Sequence, residues 1–338
     1  MFANFRGKLS AAFHPAQRVV STLIRYRPFQ NWDPPALAEI WRAQPPLRGR
    51  MQPMTPPLWE NVILAKPYFD RQGLIVACDG ARPIGFVHAG FGPTADHQTV
   101  DYSAGTICQL LTVPHPHQPT TALELLAAGE DYLRKRGAKT IYAGCATPFN
   151  PFYLGLYGSS KVPGILASDL AARELFSAGG YVDGAARVLM HRTISEYKPP
   201  VTGQMLQVKR KFVVTQVGEV MPTTWWDNCV WSNAVWQRYQ LAARESAEPL
   251  ISATFWEIQP LSQAWGVRTI GLVSIDDTAE ARAAGLTLFL LSEAIRNFSE
   301  QKLASFEAQC AVEDTTLLAI YKQLGMTEYD RGMILKKG

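Results

Sequence analysis

The segment of the chain best suited to chemistry is RAAGLT, residues 282–287, which joins a predicted strand, TIGLVSI, to a predicted helix. The first amides of a helix have no partner inside the helix, and with the helix dipole they bind anions such as phosphate. Small side chains at Ala283, Ala284 and Gly285 would leave these amides open. Arg282 would add a cation for bidentate contact. The pattern therefore predicts a phosphate site at this junction.

The same residues allow a second interpretation. Asp276, Asp277 or Thr278 would cap a helix that begins at Ala279, and AEARAA strongly favours helix formation. Gly285 would then be a defect that costs about 1 kcal/mol relative to alanine. The sequence leaves both interpretations open. It contains neither a Walker phosphate loop nor the G-x-G-x-x-G fingerprint of dinucleotide-binding folds.

Carboxylates supply the candidates for proton transfer. Glu307 lies in an otherwise apolar predicted strand, ASFEAQCA, where an ionised side chain is costly unless it is paired or functional. Glu307 is therefore a candidate functional carboxylate, with an outward-facing position on the strand as the alternative. Glu257, Asp276 and Asp277 are further candidates, although the two aspartates suit capping or solvation better.

No metal site is predicted. The five cysteines are far apart and form no C-x-x-C pair, which is typical of free thiols in a reducing compartment. His115 and His117, in VPHPHQP, have no acidic or thiol co-ligand nearby, whereas a metal site needs several converging ligands. The net charge of only +4 gives no reason to expect a nucleic acid partner.

The composition is that of a globular chain long enough for about two domains. No apolar run reaches the roughly 20 residues that a membrane helix needs, and we expect a cytoplasmic protein. The N-terminal segment, residues 1–29, is basic and carries several phenylalanines. It either packs on the first domain, the interpretation we prefer, or acts as a targeting or surface-binding segment.

Helices and strands follow one another in the same order in the two halves, which predicts a duplicated domain. The first half reads as strand TLIRYRPF, helix PPALAEIWRAQ, a helix near 58–65, hairpin GLIVACDGARPIGFVHAGF, strand GTICQLLTV, helix TTALELLAAGEDYLRKRGA, strand KTIYAGCA, helix SDLAARELFSAGGY and strand ARVLMHRTI. After a Pro/Gly break at 196–203, the second half reads as strand QVKRKFVVTQV, helix TTWWDNCVWSNAVWQRYQLAA, strands LISATFWEI and VRTIGLVSI, a helix over 284–301, strand ASFEAQCA, helix EDTTLLAIYKQLGM and strand YDRGMILKK.

Two of these elements carry motifs that resemble the GCN5-related N-acetyltransferase (GNAT) superfamily. The acetyl-CoA loop of that family reads [RQ]-x-x-G-x-[GA], and Arg282, Gly285 and Thr287 stand at its three defined positions, with threonine in place of the last glycine or alanine. A second family motif, Y-x-x-x-G-[FY], appears at 321–326 as YKQLGM. The resemblance covers residues 211–337.

The first half resembles the same fold with an altered loop. His117, Thr120 and Ala122 stand where the loop motif has its defined residues, and Pro119 removes one amide donor. Phe176 stands in place of the motif tyrosine. This half is therefore expected to be degenerate as a catalytic domain.

The resemblance implies an α/β fold with a mixed α+β sheet. It implies two tandem GNAT-like domains, each a mostly antiparallel twisted sheet flanked by helices. Residues 1–200 would form the degenerate domain with its N-terminal extension, and residues 201–338 the domain that binds acetyl-CoA. Tandem arrangements of this kind occur in the superfamily.

The resemblance also implies roles for residues. Acetyl-CoA would lie between the splayed fourth and fifth strands of the second half, where a backbone amide polarises the thioester carbonyl. Tyr321 would protonate the departing thiolate, and Glu307 would accept the proton of the amine. The cosubstrate would contact Val273, Ile275, Arg282, Ala283, Ala284, Gly285, Leu286 and Thr287.

The implied activity is N-acyl transfer, with acetyl-CoA as cosubstrate and a small-molecule or peptide amine as acceptor, by a monomer or homodimer. A non-catalytic acyl-CoA-binding or interaction module is the alternative, suggested by the altered first loop and by Thr287. Aminoacyl transfer from tRNA also uses tandem domains of this fold. It would need a basic groove, whereas the basic runs at 134–136 and 209–211 are typical of solvated faces.

Overall fold

The computed structural model describes residues 23–45, 47, 50–145, 152–157, 159–246, 248–259, 262 and 266–338. Residues 1–22, with most of the predicted N-terminal segment, lie outside the described residues.

The first half contains the predicted elements in the predicted order, together with a 3-10 turn and a short strand, β6, that were not predicted. They are β1 (Ile24–Pro28), α1 (Pro34–Arg42), α2 (Pro56–Trp59) with a π-helical turn (Glu60–Leu64), a 3-10 turn (Arg71–Gly73), β2 (Leu74–Asp79), β3 (Arg82–Pro93), β4 (Val100–Thr112), α3 (Gln118–Lys135), β5 (Thr140–Ala143), β6 (Ile165–Leu166), α4 (Leu170–Ala178) and β7 (Val182–Thr193). Local signals explain this agreement: prolines occupy the first turns of α1, α2 and α3, and the Asp169 side chain caps α4.

The second half repeats the same order after one added helix. Its elements are α5 (Gly203–Lys211), β8 (Phe212–Val220), α6 (Trp225–Val230), β9 (Trp236–Ala243), β10 (Pro249–Glu257), β11 (Thr269–Asp276), α7 (Ala279–Ala283), α8 (Leu286–Glu300), β12 (Ser305–Ala311), α9 (Thr315–Gln323) and β13 (Thr327–Lys337).

Two predicted elements of the second half are wrong in part. The strand predicted at QVKRKFVVTQV begins only at Phe212, because the preceding residues continue α5, whose amide of Met205 is capped by Thr202 Oγ1 at 3.2 Å. The single helix predicted for the tryptophan-rich segment ends at Val230, and its C-terminal part is β9. Tyr239 and Leu241 are both 0% exposed while their neighbours are less buried, which is strand alternation.

The described strands form one mixed sheet in the order β1-β2-β3-β4-β5-β13-β7-β12-β11-β10-β9-β8, with β6 paired to β13. Among them only β4–β5 and β11–β12 pair in parallel, and every other pair is antiparallel. The predicted mixed, mostly antiparallel sheet with flanking helices is therefore confirmed.

The two halves exchange their last strands. Strand β13, from the end of the chain, lies between β5 and β7, and β7, from the first half, lies between β13 and β12. Each half of the sheet thus contains a strand from the other part of the chain. Domains over residues 1–200 and 201–338 remain a proposal about the chain, because the hydrogen-bonded sheet crosses that boundary.

A loop inserted into one strand line connects the halves further. Strands β5 and β6 both pair with β13, and the chain leaves this line at Gly144 and returns at Gly164. The φ angles of these glycines are +106° and +102°, and a Cβ on Gly144 would lie 2.7 Å from the nitrogen of Ile165. Only glycine fits so close a crossing. The described residues between these two glycines, 145, 152–157 and 159–163, belong to the insertion, which we call the bridging loop.

Direct contacts also join the halves across the sheet. Lys66 Nζ donates hydrogen bonds to the carbonyl oxygens of Cys229 and Val230 at the end of α6, both at 3.0 Å, and to Ser232 Oγ at 2.9 Å. The rings of Tyr68 and Trp226 stack with centroids 4.4 Å apart. None of the helices in the described part of the chain is long and apolar enough to cross a lipid bilayer.

Candidate functional site

Strands β11 and β12 diverge in the middle of the sheet. They pair only over Thr269–Gly271 and Ser305–Glu307, and beyond this point the described register contains no further pairs between them. A bulge in β11 adds to the opening, since the pairing with β10 skips Val273. Ile275 still pairs with β10. Val273 and Ile275, the two predicted contact residues of β11, therefore lie beside a V-shaped gap between β11 and β12.

The loop beyond β11 combines features of both sequence interpretations. A helix does begin at Ala279, capped by Thr278 Oγ1 at 3.2 Å from the amide of Ala281, but it ends at Ala283. Gly285 then adopts φ +78°, and α8 begins at Leu286. Gly285 is therefore the left-handed joint between two helices, not a flaw within one.

The break leaves amides at the start of α8. The amides of Arg282, Ala284 and Gly285 donate hydrogen bonds to carbonyl oxygens of α7 and of its cap residue, with N···O distances of 2.8–3.0 Å. The first described bond into α8 runs from the nitrogen of Phe289 to the oxygen of Gly285 at 3.1 Å. The amides of residues 286–288 precede it and have no partner within α8, so they are the main-chain donors that suit an anion.

The Arg282 guanidinium is held by two carboxylates. Its Nε and Nη2 lie 2.9 and 3.0 Å from the oxygens of Asp277, and its Nη1 lies 2.9 and 3.0 Å from those of Asp314. Thr287 Oγ1 also donates to Asp277, at 2.7 Å. The bonds to Asp277 and, less strongly, to Asp314 raise the pKa of Arg282 above its usual value. Arg282 therefore ties α7, α8 and the cap of α9 together.

Tyr321 lies beneath this loop. It is 0% exposed, and burial raises the pKa of its phenol well above the usual value. Tyr321 lies on the helix that Asp314 caps, and Asp314 bonds to Arg282 in the predicted loop. A phenol that stays protonated can donate a proton to a leaving group.

Glu307 is buried and paired, so the outward-facing alternative does not hold. It is 0% exposed, and its Oε1 lies 2.7 Å from Nδ1 of His191 on β7. Ser305 Oγ lies 3.1 Å from the same nitrogen. The sequence analysis did not identify His191, which is 116 residues away and reaches Glu307 only through the exchange of β7. A histidine inside the apolar run VLMHRTI was the available signal.

Of the other carboxylate candidates, Glu257 and Asp277 have structural partners, and Asp276 is exposed. Glu257 forms a surface ion pair with Arg268 at 2.8 and 2.9 Å. Asp277 forms an ion pair with Arg282, and Asp276 is exposed at the end of β11. Within the described part of the chain, no group of three or more His, Cys, Asp or Glu is arranged to hold a metal ion.

Residues 159–161 of the bridging loop, here called the strap, cross the sheet where β11 and β12 diverge. Trp256 Nε1 donates to the Ser160 carbonyl at 2.8 Å, and Gln309 Nε2 donates to the Lys161 carbonyl at 2.9 Å. A Cβ on Gly271 would lie 2.9 Å from Cα of Ser160. Because neighbouring residues of β11 and β12 pack toward α8, the strap covers the opposite face.

Replacing Gly271 with alanine is expected to lower the free energy of unfolding by about 1–3 kcal/mol, because the added methyl overlaps the strap. Ile258 Cδ1, 2.8 Å from the same position, adds to the overlap. Denaturant unfolding measures the change. Gly218 in β8 is the matched control, since nothing lies within 4 Å of its Cβ position. Equal stability of the two variants would contradict this packing.

The first half keeps a related opening with different chemistry. Its β4 has the corresponding bulge, at Cys108. A groove of about 550 Å³ lies between the end of β4, the start of α3 and α4. Pro119 occupies the first turn of α3 at this groove, and Phe176 is 3% exposed in α4. This half therefore lacks the amide and the hydroxyl that the second half offers.

Solved structures match nearly the whole chain. The GCN5-related glucosamine N-acetyltransferase region of a fungal multi-domain GH3 beta-N-acetylglucosaminidase is 15% identical over 94% of this chain, with a TM-score of 0.67. This chain spans only 38% of that protein. A tandem GNAT protein from the clavulanic acid biosynthesis pathway is 13% identical, over 93% of this chain and 98% of its own, with a TM-score of 0.63.

A third similar structure is a GCN5-related N-acetyltransferase from Sphaerobacter thermophilus. It is 15% identical over 93% of this chain and 95% of its own, with a TM-score of 0.58. No protein-family model and no curated protein sequence matches the chain. Likeness at this level of identity establishes the fold and leaves the activity to the site.

Proposed function

We propose that this chain, which has the tandem fold of the GCN5-related N-acetyltransferases, transfers an acyl group from acyl-CoA, acetyl-CoA in the first instance, to an amine in a ternary complex. One observation carries the proposal. In the second half, β11 leads from the strand gap to the helix joint at Gly285, and Arg282 beside that joint bonds to Asp314, which caps the helix that carries the buried Tyr321. The acyl-CoA site is assigned to residues 201–338, and the five buried free cysteines favour a cytoplasmic location.

Binding would rest mainly on the main chain. The edge of β11 at Val273 and Ile275, which is not paired with β12, would pair with the pantetheine amides as an added strand would. The amides of Leu286 and Thr287, which follow the small residues Ala283, Ala284 and Gly285, would hold the pyrophosphate. These five residues and the two strand positions form the proposed contact surface. Arg282 would act by fixing the loop, since its guanidinium is engaged by carboxylates.

Catalysis would divide between two buried groups. Glu307 would take the proton of the amine as its nitrogen attacks the thioester carbonyl, and His191, with its side chain 25% exposed, links this carboxylate to solvent. Tyr321 would donate its proton to the thiolate as the carbon–sulfur bond breaks. The products are the amide and free CoA.

Calorimetric titration with acetyl-CoA tests the binding site. Thr287 is the second residue of α8, the position that Pro119 occupies in α3. A Thr287→Pro variant removes one amide donor at a place where helices accept proline. We expect its affinity to fall at least about tenfold below that of Thr287→Val, because a bond to a charged group contributes about 1.5–3 kcal/mol. Equal affinities, or no binding by the unmodified protein, would contradict the site.

A non-catalytic acyl-CoA-binding module is the second candidate, favoured by one observation. The strap covers the face of the strand gap opposite α8, from which an acceptor would approach. Measured release of free CoA across a panel of amines separates the two functions. Release above the rate without amine supports the transferase, and binding without release supports the module.

A further inference from the structure

The covered face of β12 carries a row of polar side chains. Ser305, Glu307 and Gln309 alternate with apolar residues and are 4%, 0% and 8% exposed. Apolar side chains normally fill such positions, because a buried polar group is unfavourable unless it is hydrogen-bonded. Ser305 and Glu307 meet His191, and Gln309 meets the strap.

Two groups in this row and the strap lack a partner. Gln309 Nε2 donates to the strap, but its Oε1 is buried with no hydrogen bond in the described part of the chain. Ser160 Oγ is likewise buried with no hydrogen bond in the described part of the chain, and Ser160 is 0% exposed. Ser160 lies over Gly271, which pairs with Glu307, so the unpartnered oxygens flank that carboxylate. Buried polar atoms normally have a hydrogen-bond partner, which a bound molecule would supply here.

The charge beside this row is positive. Lys161 follows Ser160 in the strap, and its carbonyl accepts the Gln309 bond. The structure describes no hydrogen bond or ion pair from Lys161 Nζ. Burial, and then the charge of Arg187, lower the pKa of Lys161 to about 8. Burial also lowers the pKa of Arg187 on β7. Arg187 is in register with Ala311, two residues beyond Gln309 on β12, so both cations lie at the end of the row that Gln309 occupies. An anion there would offset the desolvation of Lys161 and its repulsion by Arg187.

We infer that the covered face of β12 is the acceptor site, and that it takes a small primary amine that also carries an anionic group, a carboxylate or a phosphate. This inference rests on the proposed acyltransferase function. The amine lies at Glu307, which takes its proton as the new carbon–nitrogen bond forms. The anionic group lies toward Lys161 and Arg187. Gln309 Oε1 and Ser160 Oγ form hydrogen bonds with polar atoms of the acceptor that lie between its amine and its anionic group.

Acyl transfer to matched acceptors tests the inference. CoA release is measured with each common amino acid, with the corresponding amino acid amide, and with phosphoethanolamine against ethanolamine. We expect kcat/KM for at least one anionic acceptor to exceed that of its neutral match at least about tenfold, as a close charge pair allows. The pair that shows the preference identifies the anion as carboxylate or phosphate.

Variants at Lys161 assign that preference to the strap. Lys161→Met is expected to reduce the ratio of anionic to neutral acceptor to below about threefold, whereas Lys161→Arg keeps it, because only the charge is needed. The ratio within one variant does not depend on how much of the protein is folded. A wild-type ratio near one, or a ratio that Lys161→Met leaves unchanged, overturns the inference while CoA release still supports the transferase.

A binding experiment separates this failure from failure of the proposed function. If the wild type binds no acetyl-CoA and releases no CoA, the transferase proposal fails. Direct calorimetric titration with the same amino acids and amides then tests the anion site independently of catalysis. Carboxylate-dependent binding that Lys161→Met weakens at least about tenfold supports the site, and binding that does not distinguish acid from amide overturns it.

Discussion

Replacing Arg282 with methionine is expected to lower the free energy of unfolding by about 3–5 kcal/mol, because it leaves buried carboxylates without their partner. Asp277 is the critical one. Its side chain is 3% exposed, and Arg282 contributes two of its three described side-chain hydrogen bonds. Chemical denaturation of the folded chain measures the loss. Because the same bonds hold α7 against α8, acetyl-CoA affinity is expected to fall as well.

A surface arginine provides the matched control. Arg296 pairs with Glu293 and Glu300, but its side chain is 39% exposed, so Arg296→Met is expected to change stability by at most about 1 kcal/mol. A second substitution tests the mechanism. Adding Asp277→Asn to Arg282→Met removes the unpaired charge of the Asp277 carboxylate and should restore part of the lost free energy of unfolding. Equal effects of the two methionine variants would show that the Arg282 cluster is not a buried one in solution.

Replacing Tyr321 with phenylalanine is expected to lower kcat for acyl transfer about 100-fold, the lower part of the range for loss of a general acid. Its phenol is buried, and its raised pKa keeps it protonated over the working range. The substitution removes one oxygen and keeps the ring, so packing beneath the loop is retained. Affinity for acetyl-CoA should change little. Single-turnover CoA release measures the chemical step.

Tyr239 is the control for this experiment. It is also 0% exposed and belongs to the same hydrophobic core, but its hydroxyl bonds to Gln216, away from the loop. Tyr239→Phe should leave the rate within about twofold of the unmodified protein. If both variants behave alike, Tyr321 packs the core and does not act as the acid, which favours the non-catalytic candidate.

The sequence by itself determined most elements and the repeated order of the two halves. Caps and helix starts are local signals: Thr278, Asp169 and Asp314 each accept the bond that their position predicts. Gly285 was identified as the special residue of its loop, although the sequence alone left two explanations open. Buried strands such as β11 and β12 were predicted correctly because their apolar runs are short and bounded.

The tertiary structure decided where local signals conflict or end. The tryptophans of residues 225–236 fit a helix by spacing, but pairing with β8 and β10 makes Trp236 the start of a strand. The partner of Glu307 could not be read from its neighbours, because His191 arrives on a strand exchanged between the halves. The partners of Arg282 include Asp314, 32 residues away.

The sequence also could not show which face of the sheet is covered at the candidate site, because the covering residues come from a distant segment. Residues 159–161 fall between two predicted elements, and nothing local in the sequence shows that they lie over Gly271 and Gln309. Such contacts depend on how two distant segments meet when the sheet closes. Periodicity and caps act over a few residues, whereas the Arg282–Asp314 and His191–Glu307 pairs and the contacts of residues 159–161 depend on packing between segments 32 to 148 residues apart.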